Sequence, residues 1–300
     1  MKLVTFQDDF VESVGVITDN NEIFNLSSFA DIPQTMREIL ETGEPAMATI
    51  RQKLIAFGES NSNIPLETAM LLPPIPNPKL ILSIGLNYWK HLEEMDGTPT
   101  PKNPAAFIKS RDTLLGSGMP LTKPKQCSDM IDYEGELCVV IGKTCHNVET
   151  HQAMDYVAGY TIANDISARD WVAEVFSSKE TFEAVHAWER NINGKQLPGF
   201  TPCGPVIVLK DEISDPQCLQ LETRLNGQTM QSTSTSDMIF SIEEIIAYYS
   251  KWYRFNPGDI ITTGTPAGVG FGRDPQFFMK TGDIIEVEIE KIGILCNEVL

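Results

Sequence analysis

The sequence predicts an α+β fold that is mostly β, and two observations lead to this prediction. From Leu80 onward, short apolar segments rich in β-branched residues alternate with turns that contain Gly, Pro or Asp. Helical spacing interrupts this series only a few times, most clearly over residues 241–251. The pattern favours a largely antiparallel or mixed sheet over a doubly wound parallel sheet.

The first 72 residues mix strand and helix signals and predict a small N-terminal α/β domain. The turn signal Asp19–Asn21 lies between two strand-like segments, 15–18 and 22–26, which predicts a hairpin. Helical spacing follows in residues 36–40 and 47–57.

A proline-dense segment, Leu72–Lys79, marks the expected domain boundary because prolines so closely spaced exclude a helix. We expect a small domain over residues 1–72 and a larger catalytic domain over residues 73–300. The strands predicted in the larger domain are 80–84, 105–109, 136–141, 157–163, 205–209, 222–225, 259–263 and 284–289.

Composition excludes several classes of protein. A formal net charge of −18 argues against a nucleic-acid or anionic-membrane partner, since both require a basic surface. The chain has no apolar segment long enough to span a bilayer. Asp8 and Asp9 stand where a signal peptide would be apolar, so we expect a cytoplasmic protein. Its six cysteines form no CxxC pair and predict reduced thiols.

Two acids in the segment Asp132–Ile141 are the first candidates for chemistry. Glu134 and Glu136 are two residues apart and share one face if this segment is a strand. Two buried carboxylates side by side repel each other, so a cation would have to lie between them. The alternative is a solvated strand end ahead of an apolar core segment.

Asp165 adds a third acid at the point where the apolar strand 157–163 ends. Functional side chains often lie where a strand emerges from the core. Three carboxylates make an oxygen-only site, which suits Mg²⁺ or Mn²⁺ better than zinc.

Two further segments are candidates for the same site. His91 and Glu94 share a face of a helical turn, where the carboxylate could fix the imidazole tautomer of a general base. A surface ion pair is the alternative. Residues 264–270 form a glycine-rich loop that lacks the lysine of a phosphate-binding loop. Its backbone N–H groups and Thr265 could contact a carboxylate, or the loop could simply be a tight turn.

Six sequence segments together resemble the fumarylacetoacetate hydrolase family, in the family's order over roughly residues 80–300. They are GLNYWKHLEE, DYEGELCVVIG, GYTIANDISARD, GKQLPGFTPCGP, NGQTMQSTSTSDMIFSIEEIIAYYS and PGDIITTGTPAGVG. The resemblance implies a mixed β-roll catalytic domain and a homodimer. It also implies a Mg²⁺ or Mn²⁺ ion held by Glu134, Glu136 and Asp165.

The resemblance also assigns roles to individual residues. The residues matched to catalytic positions are His91, Glu94 and Lys195, with the first two activating water. The residues matched to substrate-binding positions are Tyr88, Arg169, Gly264 and Thr265. Asn164 and Ser167 are expected to support them.

The implied function is a metal-dependent hydrolase that cleaves a C–C bond in a 2,4-dioxo acid through a metal-stabilised pyruvate enolate. The same enolate serves an oxaloacetate-type decarboxylase or a 2-oxo acid isomerase or tautomerase, which are the alternatives. A catalytically silent binding protein is a third reading. In each case the partner is a small anionic 2-oxo acid.

This chain departs from the family near the expected pocket. Val172 stands where many hydrolytic members have Gln, and an apolar side chain cannot donate a hydrogen bond. The segment 171–193 is longer than usual, and residues 196–200 lack an acid often found there. These differences make hydrolysis less secure and predict a non-standard substrate.

Overall fold

A computed structural model describes residues 1–57, 63–95, 98–125, 129–171, 175 and 177–300. The helices are α1 Met36–Thr42, α2 Glu44–Phe57, α3 Trp89–Glu94, α4 Thr181–Asn193 and α5 Ile242–Tyr249. The strands up to the middle of the chain are β1 Lys2–Asp8, β2 Val11–Ile17, β3 Glu22–Asn25, β4 Ile64–Pro65, β5 Met70–Leu71, β6 Ile81–Gly85, β7 Ala105–Lys109, β8 Leu114–Leu115, β9 Ile131–Asp132 and β10 Gly135–Ile141. The remaining strands are β11 Val157–Asn164, β12 Ser167–Ala168, β13 Thr201–Leu209, β14 Gln220–Leu225, β15 Gln228–Ser234, β16 Ile260–Thr262, β17 Ile284–Ile289 and β18 Gly293–Glu298.

A large mixed sheet forms the centre of the molecule, with the strand order β4-β3-β2-β1-β13-β11-β10-β16-β6-β7. Two short strands join it at its side, β5 beside β1 and β8 beside β13. The β16–β6 and β13–β8 pairs are parallel, and the other pairs of this sheet are antiparallel. A second, antiparallel sheet has the order β15-β14-β17-β18. The predicted mostly-β, mixed-sheet fold is therefore confirmed.

The N-terminal segment contains the expected hairpin and helices. Strands β2 and β3 pair antiparallel around the Asp19–Asn21 turn, and α1 begins at a capping box formed by Thr35 and Glu38. Strand β1 then pairs with β13, with Leu3 opposite Ile207, so this segment shares a sheet with the rest of the chain. The boundary after residue 72 stays a prediction.

Strand β10 is buried on both faces, which explains its continuous apolar sequence. Leu137 and Val139 pack in one apolar core with residues of the second sheet and of α5. Cys138 and Val140 face the opposite core, which includes residues of α1 and α2. Glu136 has the same parity as Cys138 and Val140 and lies at the end of that face.

Two further expectations concern thiols and membranes. The cysteines at 138, 145, 203, 218 and 296 are free thiols, and Cys127 lies outside the described residues. Among the residues that the structure describes, no helix combines the length and apolar character needed to cross a bilayer.

Candidate metal site and active-site cavity

Three carboxylates converge at the adjacent ends of β10 and β11. Glu134 precedes β10, Glu136 is its second residue, and Asp165 follows β11 directly. Because these strands pair antiparallel with Glu136 opposite Ala163, the three acids become neighbours. One oxygen atom of each carboxylate lies within 4.8 Å of the others. All three side chains are almost fully buried.

Three cations surround two of these acids. The Lys195 Nζ donates hydrogen bonds to Glu134 Oε2 at 2.7 Å and to Asp165 Oδ2 at 2.8 Å. The Arg169 guanidinium bonds to Glu134 and, through Nε at 3.0 Å, to Asp132. Lys109, at the end of β7, bonds to Asp165 and donates to the Phe200 carbonyl at 2.8 Å.

Glu136 has no such cation, because no salt bridge reaches it within the described residues. Burial raises the pKa of its carboxyl well above the usual range, and the nearby Asp165 and Glu134 raise it further. Burial also opposes ionisation of Glu134, but Lys195 and Arg169 outweigh it and lower the pKa of Glu134 to about 2. A divalent cation among the three oxygens would supply the positive partner that no salt bridge gives Glu136. The three carboxylates therefore fit Mg²⁺ or Mn²⁺.

Hydrogen bonds to the backbone or the carboxylate position each of the three acids. The Glu134 backbone N–H donates to the Asn164 side-chain oxygen at 2.9 Å, and the Ser167 hydroxyl donates to the Asp165 carbonyl at 3.0 Å. The Gly264 N–H donates to Glu136 Oε2 at 2.9 Å. Asn164 and Ser167 thus bond to the backbone of Glu134 and Asp165, and their supporting role stays a prediction.

His91, which is buried, pairs with the partly buried Glu94 on α3. The imidazole Nδ1 lies 3.1 Å from Glu94 Oε2, and the other carboxylate oxygen accepts the Gly268 N–H at 3.0 Å. Gly272, two residues beyond the glycine-rich loop, lies so close to this pair that a Cβ there would be 2.4 Å from Glu94 Cδ. Glycine at 272 thus allows the backbone to pack against the carboxylate.

The predicted substrate-binding residues divide into two groups. Arg169 and Thr265 line the cavity beside the acids. The Thr265 hydroxyl donates to the Gly135 carbonyl at 3.1 Å and accepts from Gln231 at 2.8 Å. Tyr88 is fully buried and Gly264 bonds to Glu136, and neither is among the residues that line the cavity. Burial and the charge of Glu136 raise the pKa of the Tyr88 phenol.

The acids and His91 open into one cavity of about 210 Å³. Some of the surrounding residues were not predicted: Lys109, Asp132, Gln231, Trp188, Asn191 and Ile192. Lys109 and Asp132 form the outer ion pairs, and the last three come from α4. Val172 lies outside the described residues.

A buried carboxylate triad beside a histidine–carboxylate pair is the kind of site with which enzymes hold a hard divalent cation. Residues 80–300 match the family described as "Fumarylacetoacetate (FAA) hydrolase C-terminal". The chain is therefore an enzyme of the fumarylacetoacetate hydrolase family, as the resemblance predicted.

Two curated relatives match this chain over its whole length. Oxaloacetate tautomerase fahd2, mitochondrial, of Xenopus laevis is 39% identical over 305 residues, which cover 100% of this chain and 90% of the relative. Oxaloacetate tautomerase FAHD2B, mitochondrial, of Homo sapiens is 36% identical over 304 residues, with coverages of 100% and 92%. Both relatives are named as mitochondrial, and a cytoplasmic location for this chain stays a prediction.

Two solved structures also match over full length. Maleylpyruvate hydrolase from Sphingobium sp. SYK-6 in complex with manganese(II) and pyruvate has a TM-score of 0.79 and 26% identity, covering 100% of this chain and 99% of that one. Fumarylacetoacetate hydrolase from Exiguobacterium antarcticum has a TM-score of 0.78 and 31% identity, with the same coverages.

Proposed function

We propose that the protein is a divalent-metal-dependent tautomerase that interconverts the keto and enol forms of a 2-oxo acid. One observation carries the proposal: His91, held by Glu94, lines the same buried cavity as the three carboxylates and Lys195. Proton transfer at the carbon next to a keto group requires a base, here His91, and positive charge near the keto oxygen, which the carboxylates could hold as a cation. Full-length likeness to relatives named oxaloacetate tautomerases favours this reaction over others that share the enolate.

Glu134, Glu136 and Asp165 would hold Mg²⁺ or Mn²⁺. When bound, the ion supplies positive charge that favours the enolate form of a 2-oxo acid. Lys195 adds a second positive charge at the same place, since burial lowers the pKa of its ammonium but Asp165 and Glu134 outweigh this and raise it. The cavity therefore suits a small anionic substrate in spite of the acidic chain.

The proton chemistry follows from His91. Its Nδ1 faces Glu94, which leaves Nε2 for exchange with the substrate. In the keto-to-enol direction, His91 takes a proton from the carbon next to the keto group and the keto oxygen receives one. The reverse direction returns a proton to carbon and removes one from oxygen, so neither direction consumes a co-reactant.

Ketonisation of freshly dissolved enol-oxaloacetate tests the proposal through the decay of enol absorbance. The protein with Mn²⁺ or Mg²⁺ should accelerate the decay over metal and buffer alone. EDTA should remove the acceleration, because the carboxylates cannot replace the ion. Full acceleration in EDTA, or none with either metal, would contradict the proposal.

Hydrolysis of a C–C bond in an acylpyruvate is the second candidate function. The full-length match to maleylpyruvate hydrolase with manganese(II) and pyruvate favours it. In this reaction His91 would deprotonate water in place of a carbon acid. Product analysis by NMR separates the reactions, since hydrolysis of acetylpyruvate yields acetate and pyruvate, and decarboxylation of oxaloacetate yields pyruvate and CO₂.

The homodimer belongs to the same proposal and has its own test. Light scattering should give about twice the chain mass of 33.4 kDa. A mass equal to one chain would contradict it.

A further inference from the structure

Two lysines hold the Asp165 carboxylate between them. Lys109 Nζ bonds to Asp165 Oδ1, and Lys195 Nζ donates a hydrogen bond to Asp165 Oδ2 at 2.8 Å. Lys109 is the last residue of β7, and Lys195 lies two residues beyond the end of α4. The position of each ammonium group beside the acids therefore depends on how these two distant segments are joined.

The side-chain amide of Gln196 joins the two segments. Its Nε2 donates a hydrogen bond to the Ile108 carbonyl at 2.9 Å, and its Oε1 accepts one from the Ser110 N–H at 3.0 Å. Strand β7 is the last strand of the large sheet, so these outward backbone groups have no neighbouring strand in the described part of the chain. Gln196 thus bonds on both sides of Lys109 and directly follows Lys195.

The Lys195 side chain lies against the same strand. Its Nζ is 5.7 Å from the centroid of the Phe107 ring, and Phe107 shares a face of β7 with Lys109. A lysine side chain has a flexible four-carbon stem, so its ammonium keeps one position only when the backbone and the stem are both held. Phe107 and the acids hold the ammonium, and Gln196 holds the backbone.

Two other links join the same segments farther along the chain. The Gly199 N–H donates to the Asp112 carbonyl at 3.3 Å, and Lys109 Nζ donates to the Phe200 carbonyl at 2.8 Å. These bonds would keep the segment in place without the glutamine amide. Loss of the amide should therefore loosen Lys195 and leave the fold intact.

We infer that Gln196 is a positioning residue that fixes Lys195 against β7, so that the ammonium faces the negatively charged oxygen of an enolate. The inference rests on the proposed function, from which it takes the enolate and the role of Lys195 as a positive charge beside it. A charge fixed in advance stabilises an enolate more than it stabilises the neutral keto form. The inference also gives a function to residues 196–200, where this chain departs from the family.

Calorimetric titration of the Mn²⁺-loaded protein, free of excess metal, with oxalate and pyruvate tests the inference without relying on turnover. Oxalate carries a negative oxygen where the enolate has one, and pyruvate has a neutral keto oxygen there. Gln196→Met keeps the length of the side chain and removes both hydrogen bonds. It should weaken oxalate binding about fivefold, a typical value for one lost hydrogen bond, and leave pyruvate binding within about twofold.

Gln34→Met is the matched control. The Gln34 amide donates to two backbone carbonyls, those of Phe29 and Ile32, in the N-terminal segment and away from the cavity. The two variants should lower the urea midpoint of unfolding by similar amounts, and Gln34→Met should change neither affinity. Unchanged oxalate binding in Gln196→Met would overturn the inference. Equal losses of oxalate and pyruvate affinity would also overturn it, because they would mean that Gln196 only supports the fold of the site.

The inference and the proposed function can fail separately. Accelerated ketonisation of oxaloacetate by the wild type, with oxalate binding that does not depend on Gln196, would retain the tautomerase and remove the positioning role. Oxalate binding that depends on Gln196, without any ketonisation, would retain the positioning role and remove the tautomerase.

Discussion

Two histidine–glutamate pairs in this protein have the same spacing and nearly the same geometry. His91 and Glu94 are three residues apart on α3, with Nδ1 and Oε2 at 3.1 Å. His186 and Glu189 are three residues apart on α4, with the same two atoms at 3.2 Å. Their surroundings differ, because the side chains of the first pair are 6% and 15% exposed and those of the second are 71% and 65% exposed.

The comparison shows that spacing alone does not make a catalytic pair. Glu94 also accepts the Gly268 N–H, and His91 lines the cavity that contains the carboxylate triad. His186 and Glu189 lie at the surface, where water screens their interaction and a salt bridge contributes little. We therefore expect large effects from changes in the first pair and small ones from the same changes in the second.

Replacement of the two histidines should give the largest difference. His91→Ala removes the proposed base and should lower kcat for enol-oxaloacetate ketonisation by about 10²-fold or more. The matched variant His186→Ala should stay within about twofold of the wild type, because an exposed imidazole can be removed at little cost. Comparable losses in the two variants would abolish the distinction between the pairs.

The glutamates should show a smaller difference in turnover. Glu94→Gln keeps an acceptor for the Gly268 N–H but removes the carboxylate charge that faces Nδ1 and fixes the imidazole tautomer, so kcat should fall about tenfold. The control Glu189→Gln should leave kcat unchanged. If Glu94→Gln retained full activity and His91→Ala were inactive, His91 would act without help from a carboxylate.

Stability should show the smallest difference. Glu94→Ala leaves the Gly268 N–H and His91 without their acceptor in a largely buried position and should lower the free energy of unfolding by about 1–3 kcal/mol. Glu189→Ala should lower it by less than about 1 kcal/mol, the usual value for an exposed pair. Urea denaturation of both variants measures this, and equal losses would mean that burial does not separate the pairs.

The comparison also explains which parts of the structure the sequence could predict. The hairpin, α1, α2, α5 and most strands follow local patterns of apolar residues and turns, and their bounds agree within a few residues. Helix α4 was not predicted, nor were strands β1, β15 and β18 or the two-residue strands β4, β5, β8, β9 and β12. Helix α4 carries apolar residues at helical spacing, Phe182, Val185, Trp188 and Ile192, so its sequence held a signal that was missed.

The site was predictable where its residues share a strand or follow one. Glu134 and Glu136 are two residues apart where an apolar segment predicts a strand, so a shared face could be expected of them. Asp165 directly follows the next predicted buried strand. Local sequence patterns could not predict Lys109 and Asp132. Each contacts its partner, Asp165 or Arg169, only when strands distant in sequence assemble. The order β11-β10-β16-β6-β7 brings β7, and with it Lys109, to the triad, and no spacing in the sequence encodes this order.

Mn²⁺ titration calorimetry on the wild type and on Glu136→Ala tests the central claim, that the buried carboxylate triad holds a divalent cation. The wild type should bind a single Mn²⁺ per chain, and Glu136→Ala should weaken binding by at least about tenfold. The variant should stay folded, because burial and two neighbouring carboxylates raise the pKa of Glu136 and make its ionised form costly without a cation. The control Glu189→Ala should bind Mn²⁺ as the wild type does. Unchanged affinity in Glu136→Ala, or no Mn²⁺ binding by the wild type, would contradict the account.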